Sequence, residues 1–77
     1  MENTNMETLR LSIDYVQSEA TRGHYVHDFI KDYSKRNKIG YAIDSEDNKI
    51  VLTFKSENQK ICFVRRGNNR FPHFEFL

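Results

Sequence analysis

Cysteine occurs once in these 77 residues, at Cys62, proline once, at Pro72, and glycine only at Gly23, Gly40 and Gly67. A single thiol excludes an intramolecular disulfide framework and any multi-cysteine zinc or iron–sulfur cluster, and it suits a reducing, intracellular compartment. Three isolated glycines leave no Gly-rich phosphate loop. No run approaches the ~18 apolar residues of a membrane span. The segment from Met1 to Met6 is polar and acidic, with no basic lead into an apolar stretch. A cytoplasmic protein with no membrane partner is therefore expected. Length sets a further limit. One small single domain over 1–77 buries about 60% of the surface its unfolded chain exposes, which leaves little room for a deep reactive cleft.

What the chain does hold is enough to fold: 38% hydrophobic residues, with six Phe and four Tyr among them. The net charge of +1 hides an uneven distribution. Residues 1–34 carry three Lys/Arg against six Asp/Glu, and residues 35–77 carry nine against five. That split predicts an acidic face and a basic face, without the strongly basic balance of a dedicated nucleic-acid binder.

Residues 1–5 read as a frayed lead-in, with Thr4 or Asn5 as N-cap. Met6, Leu9, Ile13, Val16 and Ala20 then recur at intervals of three and four, which predicts a helix over about 6–20, with Leu11 and Tyr15 off its buried stripe. Past Thr21-Arg22-Gly23, residues Val26, Phe29, Ile30 and Tyr33 share a face and predict a second helix over about 22–36. Its basic end suits the helix macrodipole. After Asn37 the period falls to two. Ile39, Tyr41 and Ile43 alternate, Asp44 to Asn48 reads as a turn, and Ile50, Leu52 and Phe54 alternate again. A third strand is expected from Lys60 to Arg66, a turn at Gly67-Asn68-Asn69, and a fourth strand from Arg70 to Leu77, placed at an edge by Pro72. The fold class that results is α+β: two N-terminal helices packed on one face of a three- to four-stranded antiparallel β-meander, in two layers.

Residues that could carry chemistry are few. His24, His27 and Asp28 have the spacing of helix-borne metal ligands, but two ligands from one turn need a third, and no metal site is assigned. Cys62 sits among Ile61, Phe63 and Val64 and reads as a buried, inert thiol. With no acid–base pair and no phosphate loop, neither an enzyme nor a cofactor is expected.

The most suggestive stretch runs from Lys60 to Phe76. Lys60, Arg65, Arg66 and Arg70 bracket a turn whose amides could form an anion-binding nest, and Phe71 follows as a candidate for stacking on a base. The reading is a small non-enzymatic binding protein, contacting nucleic acid or nucleic-acid-handling machinery through this hairpin. The alternative is a small regulatory or inhibitory protein that docks on a larger protein. It would use the first helix, through Leu11, Asp14 and Tyr15, or an edge strand, with the last strand able to pair in a homodimer. Neither the winged-helix pattern nor that of the small RNA-binding sheets fits. Two helices are one short of the first, and Lys60 to Arg66 lacks the aromatic–glycine signature of the second.

Overall fold

Over residues 6–20 a period of two and a spacing of three to four compete for the same apolar residues, and the chain satisfies both in succession. The computed structural model describes residues 6–76. The expected lead-in 1–5, with Thr4 and Asn5, and Leu77 lie outside them. Leu9 and Leu11 point inward from a strand, β1 (Glu7–Ser12), while Thr8 and Arg10 point out. Ser12 then accepts a hydrogen bond from the Tyr15 amide at 3.3 Å and caps α1 (Ile13–Thr21). The expected helix over 6–20 is thus a strand followed by a helix. Leu11, which fell off the helical stripe, is in step with the strand.

Gly23, at φ +85, reverses the chain between α1 and α2 (Val26–Asn37). Val26, Ile30 and Ser34 form the buried stripe of α2, and Lys38, in left-handed conformation, ends it. The β-hairpin follows where alternation placed it, as β2 (Gly40–Asp44) and β3 (Lys49–Phe54) joined by residues 45–48. β3 is central: the strand order is β1-β3-β2, antiparallel throughout. Ile50, Leu52 and Phe54 are fully buried beneath the helices.

The last third of the chain departs from expectation. Residues 57–70 form neither a third strand nor a turn but one helix, α3 (Glu57–Arg70). Ser56 caps it by accepting from the Gln59 amide at 3.2 Å, and Gln59 Oε1 takes the Lys55 amide at 2.8 Å. This is close to a capping box. Phe63, Val64 and Gly67 are buried and Phe71 is half-buried, at helical spacing. The expected fourth strand at 70–77 is absent over the described residues 71–76, which form no strand but drop Phe74 and Phe76 into the core. The class is α+β with an antiparallel sheet, but the order is β-α-α-β-β-α, not two N-terminal helices on a meander. The described residues hold three helices where two were expected, the third following the hairpin.

Phe63 is the hub of the core. Its ring centroid lies 5.3–5.7 Å from those of Phe29, Tyr33, Phe54 and Phe76, in edge, tilted and stacked arrangements. Burial of a Phe side chain contributes about 1.5–3 kcal/mol, so this cluster joins α2, α3, β3 and the tail into one core. Among the described residues, no helix covers the opposite face of the sheet. Across it Arg10 of β1 reaches over β3 and donates to Asp44 at 2.8 Å and Asp47 at 2.9 Å.

Candidate nucleic-acid interface

Successive residues of a helix are about 100° apart, so a basic cluster written on one helix is fanned out around it. α3 does this to the cluster seen in the sequence. Arg66 and Arg70, one turn apart, face α2 and line a cleft of about 260 Å³ with Phe29, Tyr33 and Arg36. A shallower hollow of about 390 Å³ adjoins it, between Phe29, Arg66, Asn69 and Arg70. Lys60 and Arg65 turn the other way, toward β1. They line a hollow of about 310 Å³ with Glu7 and Ile61, where Lys60 lies 3.7 Å from the Glu7 carboxylate. Of the five residues expected together, the structure gathers Arg66 and Arg70, places Phe71 at their foot, and separates Lys60 and Arg65.

The electrostatics of the cleft favour an anion. Arg36, Arg66 and Arg70 converge on it against one carboxylate, Asp32, which engages the Arg36 Nε at 3.1 Å. Among the described residues Arg65, Arg66 and Arg70 form no ion pair. The Arg70 guanidinium carbon sits 5.7 Å from the centre of the Phe71 ring, within cation–π range. Phe71 itself packs half-buried on the core beside Phe29, 5.6 Å away edge-on, and is not the exposed stacking platform expected. The nest expected at Gly67-Asn68-Asn69 is absent, since those amides belong to α3. Arg36 was read in the sequence only as a dipole-complementing end of α2; its convergence with Arg66 depends on the α2–α3 packing.

Of the three residues expected on the first helix, Asp14 and Tyr15 are exposed on α1 and Leu11 is not on it. Leu11 is buried in β1. Tyr15 stacks on Phe74, centroids 4.5 Å apart and planes 8° from parallel, and its hydroxyl donates to the His73 carbonyl at 3.3 Å. It therefore pins the C-terminal segment to α1. Asp14 alone of the three is an exposed residue with no such task. The two histidines go separate ways. His24 Nδ1 pairs with the buried Glu19 at 2.8 Å, and His27 Nε2 meets the Tyr41 hydroxyl. Burial, helped by the nearby Lys31, lowers the His27 pKa, and burial raises that of Tyr41. Cys62 is exposed on α3, contrary to the buried thiol expected of a strand.

Compared with known protein families, characterised proteins and solved structures, the chain matches none. What the fold defines is a small α+β domain of three helices and a three-stranded antiparallel sheet among its described residues, with no helix long and apolar enough to cross a membrane.

Proposed function

We propose that this chain is a non-enzymatic binding protein whose α2–α3 cleft contacts the phosphate backbone of nucleic acid. The observation that carries the reading is the convergence of Arg36, Arg66 and Arg70 on one groove with a single opposing carboxylate, Asp32, among the described residues. Guanidinium forks match phosphate oxygens in geometry and charge. Asn69 beside Arg66 and Arg70 adds an amide able to reach sugar or base edges. The hairpin expected to present these residues is replaced by a helix, which keeps Arg66 and Arg70 together and adds Arg36 but leaves no amide nest and no exposed stacking ring.

α2 alone is a poorer surface for the same task. A four-residue turn containing Gly23 joins it to α1, as in helix-turn-helix units. Its outer face, however, alternates Asp28, Lys31, Asp32 and Lys35, and the neighbouring hairpin turn holds Glu46 and Asp47. A polyanion is repelled there as much as it is attracted. The alternative of docking on a larger protein through the first helix is left with Asp14 and the exposed part of Tyr15, because Leu11 is buried.

Titration of labelled single- and double-stranded oligonucleotides by fluorescence anisotropy at low and physiological salt tests the reading. Three neutralised phosphates give a log–log salt slope of about −2.7 on duplex and about −2 on single strand. The combined Arg36→Ala, Arg66→Ala and Arg70→Ala variant, checked for unchanged melting, should bring both binding and slope close to zero. Affinity indifferent to salt, or equal in the variant, would sink the proposal.

A further inference from the structure

We propose that the outer edge of β2 is a self-association surface, on which a second copy of this chain adds its own β2 in antiparallel. One side of β2 is filled by β3, and among the described residues nothing pairs with the other. Gly40 to Ile43 are all exposed, and Tyr41 and Ile43 keep 37% and 48% of their surface in solvent. A bare edge is a template for another strand, and proteins blunt such edges with proline, lysine, bulges or inward charges. β2 has no proline and no lysine, and its register against β3 runs from Gly40 to Asp44 without a bulge. The other edge of the sheet is treated differently. β1 carries Arg10 at mid-strand, and α3 lies beside it, with Lys60 reaching Glu7.

The occupant is a second copy because the edge is complementary to itself. An antiparallel pair related by a two-fold axis at Ala42 sets Tyr41 opposite Ile43 and Gly40 opposite Asp44, and brings the Lys38 end of one β2 to the hairpin turn of the other, which holds Glu46. Tyr41 with Ile43 is an aromatic–β-branched cross-strand pair, the kind that stabilises sheets most. Glycine leaves room for the Asp44 carboxylate that Arg10 already holds. Lys38 and Glu46 are exposed and form no ion pair among the described residues, and Lys35 at the end of α2 adds to the positive side of the same match. Faces agree as well as charges. Tyr41 and Ile43 stand level with the buried Leu52 and Ile50, on the helix-covered face, so this register joins two sheets with both helix layers on one side. An edge contact falls below the ~1,200 Å² of a stable standard interface, which makes the dimer weak and concentration-dependent.

Sedimentation velocity of the full chain over a concentration series tests this independently of the nucleic-acid reading. Wild type should pass from monomer to dimer. Each cross-strand pair occurs twice by symmetry, so Ile43→Lys should raise the dimer dissociation constant about tenfold or more. Lys38→Glu and Glu46→Lys should each weaken the dimer, and the two together should restore it. In a Cys62→Ser background, Ala42→Cys should form an intermolecular disulfide on mild oxidation. A chain that stays monomeric at its highest concentration overturns the proposal. So does a dimer indifferent to Ile43→Lys and to both charge reversals, or a charge-swapped double variant that remains monomeric with wild-type melting.

Discussion

Gly67 reads in the sequence as a turn residue, because Gly-Asn-Asn is the composition of a turn and nothing local contradicts it. In the fold its role is the opposite: it sits inside α3, where glycine costs up to about 1 kcal/mol relative to alanine in helix propensity. The reason is contact. A Cβ at this position would come within 2.6 Å of the Phe76 ring. Gly67→Ala should therefore destabilise by about 1–3 kcal/mol through overpacking, despite the better helix former. Phe76→Ala alone should cost about 3–5 kcal/mol. In the Phe76→Ala background, Gly67→Ala should be neutral or stabilising. Urea unfolding of the four proteins measures this as a coupling energy, and additive losses would place the clash elsewhere. Leu11 and Tyr15 teach the same lesson from the other side. Each stood off the helical stripe and so read as surface; Leu11 faces the core from a strand, whereas Tyr15 is exposed and at the same time stacks on Phe74.

At the scale of elements, the hairpin was legible and α3 was not, and both outcomes have a physical cause. In the hairpin, alternation and a polar turn agree, and the observed strands at 40–44 and 49–54 lie where Tyr41, Ile43, Ile50, Leu52 and Phe54 put them. From Lys60 on, two signals conflict. Ile61-Cys62-Phe63-Val64 has the β-branched, aromatic character of a strand, while Lys60, Phe63, Val64, Gly67 and Phe71 recur at helical spacing. The cap decides between them. Ser56 and Gln59 start a helix, and Ser-x-x-Gln was visible in the sequence as that signal. The basic cluster was legible as a cluster, but its division around α3, and the recruitment of Arg36, depend on which element carries it. Ser56→Ala should accordingly cost about 1 kcal/mol in denaturant unfolding. If residues 60–66 were a strand, the same change would be close to neutral.

At the scale of the whole molecule, the acidic and basic halves of the sequence do not become an acidic helical layer and a basic sheet. The basic residues concentrate on α3 and at the end of α2, and the hairpin turn is acidic. This leaves β2 as the strand least covered and held by two polar ties: the His27–Tyr41 hydrogen bond from α2, and Asp44 with Arg10 of β1. Both depend on pH in the same sense. Burial and Lys31 lower the His27 pKa below its ordinary 6.5, so between that value and the folded one the unfolded chain binds more protons. The stability from neutral His27 is present above about 6.5 and is lost as pH falls through its folded pKa. The hydrogen bond from Arg10, joined by the Asp47 amide, lowers the Asp44 pKa below its ordinary 3.8, and the Asp44 contribution is lost lower still, as pH falls through the folded value. Melting temperature measured from pH 8 to pH 2 should therefore fall in two stages. His27→Gln should flatten the part of the curve near and below pH 6.5, whereas Asp44→Asn should flatten only the acid limb below about pH 4. An acid limb unchanged by Asp44→Asn would mean that the Arg10 contact across the bare face is too solvated to hold β2 in place.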